Sequence, residues 1–80
     1  LTANDPENPL YQNWYGKALL DTGGVDEAAE RFERAVKLSG EQGRPFAGVH
    51  GNLATAYAIL QRPDDAIREY ETALRLAAEP

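Results

Sequence analysis

The chain has no cysteine, a single serine and a single histidine among its 80 residues, and these shortages remove most catalytic and metal chemistry at the outset. Without cysteine there is neither a disulfide framework nor a thiolate ligand for a metal. The redox compartment stays open, because a cysteine-free chain fits either side of a membrane. Nucleophilic catalysis needs an activated Ser, Cys or Thr beside an oriented base. Ser39 falls in a turn-forming stretch eleven residues from His50, and no third group is marked out with them. His50 also lacks partner ligands at helical spacing, so it reads as structural rather than as a metal ligand. Cations are scarce too: 8 Lys and Arg against 13 Asp and Glu leave a net charge of −5. A row of phosphates could not be neutralised by this balance, which argues against nucleic acid and against an anionic membrane surface. No apolar run approaches the ~20 residues of a membrane span, and no signal peptide is visible. The chain begins Leu-Thr-Ala rather than with Met, which leads to the expectation of a piece excised from a longer protein.

What the chain does have is a line of residues that occurs twice. Asp26-Glu-Ala-Ala-Glu-Arg-Phe-Glu-Arg-Ala-Val-Lys-Leu38 returns as Asp64-Asp-Ala-Ile-Arg-Glu-Tyr-Glu-Thr-Ala-Leu-Arg-Leu76. Ala28 aligns with Ala66, Phe32 with Tyr70, Ala35 with Ala73 and Leu38 with Leu76, each pair 38 residues apart. A small residue, an aromatic four later and a small residue three after that share one face of a helix. The small residues let a neighbouring helix approach and the aromatic fills the space beside them. A fixed period makes this an internal repeat.

Four helices follow from apolar spacing and its punctuation. Leu1 to Asn8 is rich in turn formers and reads as a linker or the tail of a preceding repeat. Tyr11, Trp14, Tyr15, Ala18 and Leu19 then predict a helix from Pro9 to Asp21, with Gly16 in its middle at a cost of about 1 kcal/mol unless close packing requires it. Thr22-Gly-Gly24 ends it. A second helix is predicted from Val25 to Leu38, its outer face pairing Glu27 with Arg31, Glu30 with Arg34 and Glu33 with Lys37 in the favoured order. Ser39 to Arg44 reads as a turn or a frayed extra helical turn, and Pro45 suits the first position of a third helix reaching Leu60. Pro63 opens a fourth helix to Ala78, with Asp64 and Asp65 in its first turn as partners of the helix dipole and Asp64–Arg68 and Glu71–Arg75 as outer pairs. No segment alternates with period two. The fold class is therefore all-α, two antiparallel helical hairpins stacked in series: 9–38, a connection 39–46, and 47–80.

These residues resemble the tetratricopeptide repeat family. The matching positions are Tyr15, Gly16, Leu19, Gly23, Ala28, Phe32 and Ala35 in the first repeat, and Leu53, Ala54, Tyr57, Ala66, Tyr70 and Ala73 in the second. Asp5-Pro6 resembles the closing turn of a preceding repeat. The resemblance covers nearly the whole chain and implies a fragment of a right-handed α-solenoid. There are departures. The period is 38 against the usual ~34, the expected early tryptophan is displaced to Trp14 with His50 in its place in the second repeat, and Pro63 replaces an apolar residue. Sel1-like repeats are the nearest confusable family and imply the same functional class.

The resemblance implies a non-catalytic module that binds a protein or peptide partner in a concave groove lined by the first helix of each repeat. Its lining would be Leu10, Asn13, Trp14, Lys17, Leu20 and Asp21 from one helix, and Gly48, Gly51, Asn52, Thr55, Ala58 and Ile59 from the other. One wall is bulky, with an aromatic and a cation; the other is small. Trp14 would either stack on a ligand or pack on a preceding repeat. Lys17 would attract an acidic or C-terminal carboxylate group. The carboxylate clamp of chaperone-binding members is matched at Asn52 alone, since Asn13 stands where their first lysine would be and Lys17 where their asparagine would be. The run Gly40, Gly43, Gly48, Gly51 lacks the ending of a phosphate loop, so no cofactor is expected. The alternative function is self-assembly into a homo-oligomer through uncapped solenoid ends, with Tyr57, Ile67, Tyr70 and Leu74 as the assembly face.

Overall fold

The computed structural model describes residues 4–79, so the first three residues of the expected leading segment lie outside it. Among the described residues there are four helices and no strand: α1 (Pro9–Asp21), α2 (Val25–Glu41), α3 (Ala47–Ile59) and α4 (Pro63–Ala78). α1 begins where Asn8 holds extended backbone and its side-chain oxygen accepts from the Leu10 amide at 2.9 Å. Pro9 follows at the first helical position, where its missing N–H leaves nothing unpaired. Asp5 shapes the approach, its carbonyl accepting from the Asn8 amide at 2.8 Å and its carboxylate from the Glu7 amide at 2.9 Å.

Three helices end in the same hydrogen-bonded reversal. The Gly24 amide donates to the Leu19 carbonyl, Arg44 to Ser39 and Arg62 to Tyr57, each at 2.8 Å. The residue before each of these donors is left-handed: Gly23 at φ 93°, Gly43 at 69° and Gln61 at 61°. This is the Schellman arrangement, and glycine supplies it without steric cost at two of the three places. Gln61 stands 38 residues after Gly23 and takes the same backbone with a side chain attached.

Two helix boundaries differ from the ranges expected, the first by the extra helical turn that the sequence left open. α2 runs three residues past Leu38 to Glu41, because Gly43 rather than Gly40 adopts the left-handed reversal. Ser39 is fully buried within that extra turn and donates to the Val36 carbonyl at 3.1 Å. α3 starts at Ala47, not Pro45, since Phe46 takes extended backbone (φ −137°, ψ 144°) and packs its ring against the core. Part of the lengthened connection is thus helix.

The first copy of the repeated line lies in the core, and the second contributes Ala66 to it. Ala28, Phe32 and Ala35 of α2 are fully buried and cluster with Val49, Leu53, Ala56 and Tyr57 of α3 and Ala66 of α4. The Phe32 ring lies so close over Gly16 that a β-carbon there would approach its Cε1 to 2.7 Å. Packing therefore dictates glycine in the middle of α1. α1 lies on α2 and α3 on α4, while the α2–α3 contact joins the two hairpins and α1 meets α3 only lightly. The least dimension, 16 Å, is the depth of two packed helices.

The i, i+4 pairs expected on the outer faces do not form. Arg31 instead lies over the Tyr15 ring at 4.5 Å and donates to Gln12 Oε1 at 3.4 Å. Arg34 reaches Glu7 at 2.9 Å, and Asp65 receives both Arg62 at 2.9 Å and Arg68 at 3.2 Å. A surface pair on one helix contributes only about 0.2–0.5 kcal/mol, so for Arg31 and Arg34 contacts that tie α2 to α1 and to the segment before it displace the expected pairs.

Candidate binding surface

α1 and α3 lie side by side, and a side-chain hydrogen bond crosses between them. Asn52 Nδ2 donates to Asn13 Oδ1 at 3.0 Å; Asn52 is half-buried, whereas Asn13 is buried and so does not line the open surface as expected. One turn along α1, Lys17 Nζ lies 2.7 Å from the Asp21 carboxylate, and both side chains are more than half exposed. Such a pair costs at most about 1 kcal/mol to open, so it leaves the cation accessible to another acid. Trp14 is 61% exposed beside this line. On α3, a β-carbon at Gly51 would meet nothing within 4 Å, so the wall there is open as well as small. Ile59 is 54% exposed at the far end of α3.

Not all of the expected lining faces outward. Leu20 is half-buried and packs against the core. Thr55 is turned to its own helix and to α4, its hydroxyl donating to the Gly51 carbonyl at 3.0 Å and meeting the Tyr70 hydroxyl at 3.2 Å.

Of the expected assembly face, Ile67 (56% exposed), Tyr70 (43%) and Leu74 (72%) are open on α4. Tyr57 is not with them. It is 7% exposed, part of the core between α2 and α3, and its hydroxyl donates to Glu33 Oε2 at 2.5 Å. Arg62 covers its ring at 4.2 Å. Burial, and then the carboxylate of Glu33, push the Tyr57 phenol well above its ordinary value.

His50 is buried and hydrogen-bonded, its Nδ1 2.7 Å from Glu69 Oε1. Residues 50 and 69 lie 38 positions after 12 and 31, so this contact repeats the Gln12–Arg31 contact of the first hairpin. The repeat offset could have revealed it in the sequence. A recess of about 400 Å³ lined by Asn8, Pro9, Leu10, Gln42, Arg44 and Phe46 had no such signal, because two segments far apart in the chain build it.

The comparison with known proteins agrees with the fold of two helical hairpins. A family model described as Tetratricopeptide repeat matches residues 1–43 and 16–80. The chain belongs to the tetratricopeptide repeat family. No curated protein and no solved structure matches it. Tetratricopeptide repeats generally mediate protein–protein interaction and are typically non-catalytic scaffolds. Among the described residues no helix is long and apolar enough to cross a membrane.

Proposed function

We propose that the α1–α3 face binds an extended segment of a partner protein. The observation that carries this reading is the Asn13–Asn52 bond spanning the two helices directly beside an exposed Trp14. A peptide backbone needs donors and acceptors at close range, and the half-buried Asn52 amide offers both. The open surface at Gly51 lets a main chain lie against α3, while Trp14 supplies a flat apolar platform for one of its side chains. Lys17 favours a segment carrying an acid next to that side chain.

Selection from a random peptide library on the immobilised chain, followed by Trp14 fluorescence titration, tests this. Selected peptides should share an apolar residue next to an acid, and Asn52→Ala should weaken them about tenfold, the loss of roughly one buried hydrogen bond. Binding of the same peptides by Trp14→Ala, followed by calorimetry, should also be weaker. Unchanged affinity in both variants would discard the surface.

A second reading is self-association. It is favoured by the open apolar residues Ile67, Tyr70 and Leu74 on α4, whose neighbours along the chain are mainly charged.

A further inference from the structure

We infer that the open face of α4 is built to receive α1 of a second copy of this chain, in the same register in which α2 receives α3. The inference rests on the self-association reading and specifies its geometry.

The internal repeat provides the template. α3 covers α2, and under that cover Ala29 is 5% exposed, Phe32 is fully buried and Val36 packs against the core. The residues 38 positions later are Ile67, Tyr70 and Leu74, and these are the open ones on α4. The covering side of α3 includes Val49, Leu53 and Ala56, all buried. The residues 38 positions earlier are Tyr11, Tyr15 and Ala18 on α1. Tyr15 and Ala18 are exposed and Tyr11 is half-buried. Both halves of the α2–α3 interface therefore recur uncovered on one chain, at opposite ends of its stack.

The chemistry of the two faces fits. Two tyrosines and a small residue on α1 would meet an isoleucine, a tyrosine and a leucine on α4, an apolar pairing with aromatic rings to fill it. Burying Tyr70 needs a partner for its hydroxyl, and Thr55 already supplies one at 3.2 Å. Because the two faces differ, the contact is head-to-tail. Each added copy presents a fresh α4, so growth continues the stack of hairpins rather than ending at a symmetric dimer.

Two variants at exposed positions separate the alternatives. Leu74→Glu blocks the α4 face and Ala18→Glu blocks the α1 face; circular dichroism of each verifies that helix content is unchanged. By sedimentation equilibrium, the wild-type mass should rise continuously with concentration, without a plateau at two chains. Each variant alone should stay at the mass of one chain. An equal mixture should reach two chains and stop, since the intact α1 of the Leu74→Glu chain can seat on the intact α4 of the Ala18→Glu chain.

A wild-type chain of single-chain mass at every concentration overturns both this register and self-association. An Ala18→Glu chain that still associates, in a mixture that adds nothing, shows a symmetric α4–α4 contact. That result overturns the head-to-tail register and leaves self-association standing.

Discussion

Gly16 and Gly51 look alike in the sequence, both glycines inside helices, yet the structure gives them opposite roles. A methyl group at Gly16 would drive into the fully buried Phe32 ring, at 2.7 Å from Cε1 and 2.8 Å from Cδ1. Neither the ring nor the Arg31 β-carbon at 3.2 Å has room to retreat in a closely packed hairpin. Overpacking of this kind costs about 1–3 kcal/mol, which outweighs the ~1 kcal/mol that alanine gains in helix propensity. At Gly51 the added methyl meets open space, so only the propensity gain remains. Chemical denaturation should therefore show Gly16→Ala losing stability and Gly51→Ala gaining up to about 1 kcal/mol. Equal effects at the two sites would refute the packing account of Gly16. The sequence raised this question without settling it: spacing marks a mid-helix glycine as costly, but only the position of the ring shows what offsets the cost.

Between elements, Tyr57 is the link that the sequence placed wrongly. Its 38-residue counterpart is Leu19, and both fall on the apolar side of their helices, which left open whether that side faced the hairpin or the solenoid end. The structure puts Tyr57 against α2, where its phenol donates to Glu33 and joins α3 to α2. The same ambiguity turned Leu20 toward the core rather than the groove. Periodicity gives a helix its apolar stripe, but the width of the stripe hides which edge meets which neighbour. By contrast, the existence of four helices was legible, because apolar spacing marks each of them and proline or glycine lies near their ends. The end of α2 was not, since Gly40 and Gly43 both suit a reversal and the burial of Ser39 decides between them. The Tyr57 contact has a pH signature. With its pKa raised on folding, the native state holds the phenolic proton more tightly than the unfolded chain does. This contribution is complete below the ordinary phenol value of ~10 and is lost as pH rises beyond it, by up to about 1.4 kcal/mol per pH unit. Tyr57→Phe should cost about 1 kcal/mol at neutral pH through the missing hydrogen bond and should lessen the alkaline fall. An alkaline denaturation midpoint identical in the variant and the wild type would show that the fall originates elsewhere.

Across the whole molecule, stability is distributed by position in the stack. α2 and α3 each pack on neighbours from both hairpins, whereas α4 rests on α3 alone. Of the residues in α4 only Ala66 is buried, against six in α2 and six in α3. In a linear array each repeat is held by its own packing and by its nearest neighbours, so a terminal helix with one neighbour opens first. Native-state hydrogen exchange should accordingly find the slowest amides in α2 and α3 and the fastest helical amides in the second half of α4, beyond Tyr70. Protein concentration adds a second axis. Covering α4 by α1 of another copy would slow exchange in both of those helices together and leave α2 and α3 nearly unchanged, because they are already enclosed. Exchange in α4 as slow as in α2 at high dilution would show that α4 is held by something other than its neighbour α3. Slowing in α4 without slowing in α1 would place its cover on a surface other than the second copy's first helix. The two axes together report how much of this fold is held within one chain and how much is completed by the next.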